Sequence, residues 1–426
     1  MSLLIKNAKI VSNGVLEKDI KDIYIEDSII KKIDKNINIE NVEIIDAKNN
    51  YVLPGFIDIG CKIFENGYES KDNIIRISQA GAKGGYTTIT TSSSAKPIVD
   101  NKTVVEYIHS KCKNETNINL YPIGNMTKGG EGKEISEIGE MILTGVVAIS
   151  DGDNPIEDTN LLRDIFLYSR MFDITVMTTL IEPKLSKNGT VNYGCMATKL
   201  GLVGIPREAE EIETSKNIIL AKYTGAKVHI SYVTTKGAVE LIRQAKKEGV
   251  NITCSTAPHY FTLTDRELDN YNTFVKVMPP LREEQDIQAI KEGLKDGTID
   301  IIASGHSPAL YEKKVTEFER AEFGISSLDV AFNIANTKLL KESDFSIEDI
   351  TILMSKNPAN VLGLKNKGEI KEGYDADIII VDKEKEKIIK SSEFLSRAKY
   401  SPYENMKVFG EVITTIVSGN ILYSVK

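Results

Sequence analysis

Between about residue 86 and residue 308 the chain alternates short apolar runs with amphipathic stretches. YTTITTSSS precedes VVEYIHSKCK and INLYPIGNM; GVVAIS precedes TNLLRDIFLYSRMF and ITVMTTLI. REAEEIETSKNIILAKYTGA precedes KVHISYV, KGAVELIRQAKKEG precedes NITCSTAP, and IDIIASGHSP closes the series. Strand and helix in alternation argue parallel βαβ units, and about eight such units close a (β/α)8 barrel of the TIM type. The fold class expected is therefore α/β, with functional groups at the strand ends.

The two ends read differently. Residues 3 to 53 carry LLIKNAKIV, DIYIEDSIIKKI and VEIIDAKNNYVL as short alternating strands, and GEIKEGYDADIIIVD and GEVITTIVSGNILYSV repeat that character from residue 368 onward. Both ends are expected to pair into one composite β-sandwich domain, residues 1–53 plus 366–426, around a barrel domain of residues 54–365.

A chain of 426 residues accommodates both units. Apolar content of 41% and charged content of 27% are ordinary for a soluble protein, and no apolar run approaches the ~18 residues of a membrane span. The formal net charge of -8 argues against a nucleic-acid or anionic-membrane surface. No secretory h-region is legible in MSLLIKNAKIV, and the four cysteines, Cys61, Cys112, Cys195 and Cys254, form no C-x-x-C pair. A cytoplasmic protein with reduced thiols is expected.

The segment PGFIDIGCKIF, residues 54 to 64, carries Asp58, Gly60 and Lys62 at alternating positions, which on a strand share one face. The whole chain has four histidines, His109, His229, His259 and His306, with no H-x-H or H-x-x-x-H pair. His109 falls in a predicted helix, and His229 is out of phase with Tyr232 on its strand. A metal centre is poorly supplied.

In the order of its segments the chain resembles the class I dihydroorotases of the amidohydrolase superfamily. LLIKNAKIV, PGFIDIG, KGGYTTIT, AISDGDNP, GIPREAEEIE, HISYVTTKGAVELI and MPPLREE carry the resemblance, followed by DGTIDIIASGHSP, FGISSLD, NPANVLGL, KEGYDADIIIVD and SPYENMKVFGEVITTIVSGN. The resemblance implies the metal-dependent hydrolase fold, and an activity that interconverts carbamoyl aspartate and dihydroorotate. In active members one or two zinc ions activate water, which needs His or carboxylate lone pairs at about 2.0–2.2 Å.

Carried over residue by residue, the family's ligand positions are Gly60 and Lys62 for its H-x-H pair, then Asp151, Thr179 and Tyr232. Gly305 stands where the family has an aspartate that is both ligand and base. Only Asp151 keeps a ligand side chain, so no zinc or other cofactor is expected. The substrate-contact positions are Phe64, where the family has a carboxylate-gripping arginine, and Ser94 and Met278, where it has asparagines. What remains is a residual polar pocket of Lys62, Asp151, Tyr232 and His306.

Because an isolated buried carboxylate is unfavourable, the ammonium of Lys62 is expected to take the metal's place and pair with Asp151. His306 and His259 are read as structural histidines, Cys61 and Cys254 as weak zinc candidates, and YEKK at 311 to 314 as a solvated loop. Two functional readings follow from the resemblance. In the first, the chain is a dihydroorotase-like protein that has lost catalysis and serves pyrimidine biosynthesis as a structural or regulatory subunit, a homo-oligomer with aspartate transcarbamoylase as its implied partner. In the alternative it is an active cyclic amidohydrolase, a dihydroorotase converting carbamoyl aspartate to dihydroorotate, with a site that is rebuilt or that the residue-by-residue carry-over misaligns.

Overall fold

The computed structural model describes residues 2–63, 72–94 and 96–425. Both chain ends enter one nine-stranded sheet. Ser2–Ser12 is its pivot. The first half of this strand pairs with Lys21–Glu26 and Glu43–Asp46, and the second half runs parallel to Tyr51–Pro54, with Ile10 opposite Val52. Between the halves the register shifts from Ile5 to Ala8, where Asn7 takes a φ of 56°. Such a bulge bends a strand and lets it serve two sheet faces.

The C-terminal strands Ile378–Ile388, Lys407–Val417 and Asn420–Ser424 extend the sheet beyond Tyr51–Pro54, Ile378 lying opposite Pro54. Leu3, Ile5, Ile10, Ile23, Ile25, Val52, Ile378, Ile380 and Ile416 fill the space between the faces. Alternation at period two in the sequence is thus cashed as a sandwich core.

The barrel is assembled from a three-stranded and a five-stranded parallel sheet, the eight strands of the expected architecture. Phe56–Cys61, Tyr86–Thr91 and Asn119–Tyr121 form one; Ala148–Ile149, Thr175–Thr178, Lys227–Ile230, Ile252–Thr256 and Ile301–Ile302 form the other. One seam is closed by a parallel bridge between Gly124 and Ile149. Asp58 closes the opposite seam, accepting from the Ser304 backbone N–H at 2.6 Å and its Oγ at 2.7 Å.

Helices Lys102–Glu115, Thr159–Met171, Glu208–Thr224, Lys236–Lys247 and Glu284–Lys295 lie between the strands in sequence. Their starts follow local capping chemistry: Asn101, Asp158 and Thr235 accept from backbone N–H groups of the first turn. Inside the barrel, Ile57, Ile59, Ala148, Met177, Ile301 and Ala303 form an apolar layer, closed from below by Ala359 and Leu362. That layer is the floor on which the site stands.

Candidate active site at the barrel mouth

Above the apolar layer the strands open onto a cavity of about 270 Å³. Ile59, Ile123 and Met177 are shared by floor and cavity. The structure brings Gly60, Lys62, Thr179, Tyr232, Met278, Gly305 and His306 together around it. Asp151 and Ser94 do not line it, and Phe64 lies outside the described residues.

Gly60 explains part of the difference between sequence and structure. Its φ of 92° is in the left-handed region, and the register against Tyr86–Thr91 shifts between Asp58 and Cys61. Strict alternation ends there, so Asp58 does not share the face of Lys62 as expected. Asp58 instead holds the Ser304 seam and accepts from the Cys61 thiol at 2.8 Å. Burial first, and then the Asp58 charge, push the Cys61 thiol well above its ordinary range, which keeps it a protonated thiol and not a zinc ligand. Cys254 is likewise buried, donates to the Thr298 carbonyl and is pushed upward by burial.

The expected Lys62–Asp151 pair does not form. Asp151 is 2% exposed and accepts from the backbone N–H of Met126 at 2.8 Å and of Thr127 at 3.0 Å, and from Thr127 Oγ1 at 2.5 Å. Three donors satisfy its oxygens without a cation. Burial raises its pKa, with the Thr127 and Met126 hydrogen bonds opposing. Lys62 pairs instead with Asp153 Oδ2 at 2.5 Å. Gly152, at a φ of 62°, turns the chain after Asp151, and Ser94 Oγ accepts from the Asp153 N–H at 3.2 Å. Ser94 therefore fastens the loop that presents Asp153, which replaces its expected role as a lining residue.

His306 has no lone pair to offer. Its Nδ1 accepts from the N–H groups of Ser327 at 3.2 Å and Leu328 at 3.3 Å, so Nε2 carries the proton and donates to Asp72 at 3.3 Å. Burial works to raise the Asp72 carboxyl, but His306, Ser396 and the Arg397 N–H together bring it below its usual value. His259 is buried, and burial drives its imidazole down to about 3, so it is neutral. Its ring fills the space a side chain at Gly305 would need: a Cβ there would come within 2.6 Å of His259 Cε1, at a φ of 65°. Tyr232 sits at a φ of 59°, half-buried, with desolvation raising its phenol well above the ordinary range.

His229 is buried outside the cavity, its Nδ1 2.9 Å from Thr253 Oγ1. YEKK is solvated over Tyr311, Glu312 and Lys313, but it is neither a loop nor solvated at Lys314. Tyr311–Lys314 is a helical turn whose Lys314 is fully buried, its ammonium donating to the carbonyls of Lys276, Glu322 and Gly324 at 3.2, 3.0 and 3.0 Å. Burial, assisted by nearby Lys276, lowers its pKa to about 7. Three carbonyl acceptors supply what solvent would have supplied.

Zinc needs several lone-pair donors converging on one point. At the family's six positions stand two glycines, an ammonium, a threonine, a half-buried phenol and one carboxylate, Asp151, whose oxygens are taken by Met126 and Thr127, and His306 is committed at both nitrogens. Among the described residues no group of three His, Cys, Asp or Glu side chains could hold a metal ion. The donor set does not fit zinc.

Comparison with known proteins agrees with the architecture. A family model described as "Amidohydrolase family" matches residues 51–422. A dihydroorotase from Caldanaerobacter subterraneus subsp. tengcongensis is 44% identical over 99% of this chain and 97% of its own. One from Acetivibrio thermocellus is 43% identical over 99% and 98%. An L-hydantoinase (dihydropyrimidinase) from Arthrobacter aurescens superposes with a TM-score of 0.89 over 99% of this chain and 96% of that one, at 22% identity. The chain belongs to the amidohydrolase family, and within it to the dihydroorotase-like proteins.

Sequence reasoning missed Asp153, the serines Ser92 and Ser93, and the apolar wall of Phe323 and Ile325. AISDGDNP holds two aspartates, and the glycine between them was the available sign that the second, not the first, faces the mouth.

Proposed function

We propose that this chain is a dihydroorotase-like protein of pyrimidine biosynthesis that works without zinc-assisted hydrolysis, as a structural or regulatory subunit. The observation carrying the reading is the Lys62–Asp153 ion pair standing at the mouth where the family's metal ligands converge. An ammonium there repels a divalent cation, and at the position of the family's aspartate Gly305 offers no side chain, leaving Asp153, paired with Lys62, as the one carboxylate among the described lining residues. A cytoplasmic location, self-association and docking to aspartate transcarbamoylase belong to the same reading. No helix among the described residues is long and apolar enough to cross a membrane.

A second reading is favoured by the 40–44% identity to full-length proteins named dihydroorotase. On likeness alone it is the stronger one: an active cyclic amidohydrolase interconverting carbamoyl aspartate and dihydroorotate through a rebuilt site. The discriminating experiment is an assay of the purified protein in both directions, with and without added zinc, beside co-purification with aspartate transcarbamoylase. The first reading expects background turnover and a stable complex. Turnover at a rate of order 1 s⁻¹ or above, in the ordinary range of enzymes, would overturn it in favour of the second.

A further inference from the structure

The helix Glu208–Thr224 is built inside out. Its inward face carries Glu210, Glu213, Thr214 and Asn217, all buried, and Glu210 is satisfied there by the backbone N–H groups of Thr234 and Thr235 at 2.7 and 2.9 Å. Its outward face carries Ile212, Ile219 and Tyr223, exposed by 51%, 54% and 84%. A helix on the surface of a lone globular chain shows the opposite arrangement, apolar inward and polar outward. The folding of one chain therefore leaves this face without an apolar neighbour.

The outward residues are ordered. Glu208, Ile212, Ser215, Ile219 and Lys222 follow one another at spacings of four, three, four and three, which holds them in one stripe along the helix. The first four of them border a shallow groove of about 680 Å³, together with Leu220 and Leu241. The adjoining helix Thr159–Met171 adds Leu167 and Met171 to the exposed apolar side chains, and Arg170 ties its end to the Thr224 carbonyl at 3.1 Å. Single exposed apolar residues are ordinary, whereas a set gathered on two adjoining helices marks a contact surface.

The charges on the stripe select the occupant. Glu208 stands in the first turn and Lys222 in the last, with the apolar pair and the small Ser215 between them. A second copy laid antiparallel across Ser215 brings Ile212 of each copy onto Ile219 of the other and Glu208 of each onto Lys222 of the other, with the two helix dipoles opposed. Lys222 also meets Glu248 of its own chain at 2.9 Å, and an ammonium has further donors to give. A surface complementary to itself under a two-fold axis is what an isologous interface requires.

We propose that this face is the contact between two copies of the chain, a two-fold dimer in which the helices Glu208–Thr224 pair antiparallel about Ser215. The proposal rests on the self-association stated above and deepens it by naming the surface. It is independent of whether the chain hydrolyses cyclic amides, because assembly and turnover are measured separately.

The test is analytical ultracentrifugation of the intact protein from about 0.1 to 100 µM, the range in which such an equilibrium is read. The unaltered protein is expected to form dimers. Ile219→Asp places a carboxylate at the centre of the contact in both copies and should raise the dissociation constant at least about thirtyfold. Glu208→Lys and Lys222→Glu should each weaken the dimer by about three- to tenfold at low salt, and the two exchanges combined should recover it, since the antiparallel arrangement brings those residues together. Both lie on exposed ends of the helix, so they keep the test decisive if Ile219→Asp does not fold. A monomer across the whole range, a dimer indifferent to Ile219→Asp, or a combined exchange that recovers nothing would overturn the proposal.

Discussion

Asp151 shows how much a single side chain's surroundings decide. A buried carboxylate was expected to need a cation, and two backbone N–H groups with one hydroxyl supply its partners instead. Removing the hydroxyl should therefore hurt: Thr127→Val is expected to destabilise the protein by about 1–3 kcal/mol, the cost of an unsatisfied buried acceptor, measured by urea unfolding. Lys62→Met, by contrast, breaks only a rim pair and is expected to change stability by less than about 1 kcal/mol in the same experiment. His229 and His259 make a pH prediction. Burial lowers both to about 3, so the unfolded chain binds more protons than the fold between pH ~6.5 and ~3. Their contribution to stability is present above pH ~6.5 and is lost as the pH falls through that window. Melting temperatures followed from pH 7 to pH 4 should drop, and His229→Gln should lessen the drop.

At the scale of elements, the wall of the cavity between Tyr311 and Ile325 is pinned by two buried ammonium groups. Lys314 holds three carbonyls, while Lys276 donates to Phe318 and Glu319 and lies 4.6 Å from the Phe323 ring centroid. Since Lys314 falls to about 7 from 10.5, the unfolded chain binds the extra proton between those values and stability contributed by this group rises with pH across them. The slope is at most about 1.4 kcal/mol per pH unit, and Lys314→Met should flatten it in urea titrations between pH 7 and pH 9. The sequence could not announce this element, because a YEKK run on its own is indistinguishable from a solvated one. The strands and helices were legible, since period two and period 3.6 are set by burial on one face. Positions governed by loop conformation were not: the φ of Gly60 and of Gly152 each redirect the chain, and together they exchange Asp151 for Asp153 at the mouth.

Across the whole molecule, Asp377 is one of several ties between sandwich and barrel, beside the Thr415 hydroxyl on the Ala82 carbonyl and the Asn333 amide on the Gly410 carbonyl. Asp377 Oδ2 accepts from Lys367 at 2.5 Å and from Asn119, on a barrel strand, at 2.8 Å, while Oδ1 accepts from the Ser418 N–H at 2.9 Å. Asp377→Ala leaves a buried ammonium at Lys367 beside a single remaining carboxylate, Asp375, and is expected to cost about 3 kcal/mol, lowering the melting transition of both units together. The central claim is the proposal made for the barrel mouth: the family's chemistry requires a metal there, and among the described residues no group of three His, Cys, Asp or Glu side chains could hold one. The measurement that tests it most directly is the zinc content of the purified, untagged protein by elemental analysis after expression in zinc-supplemented medium. The account predicts well under one zinc per chain; one or more zinc ions per chain, removable by a chelator, would contradict it.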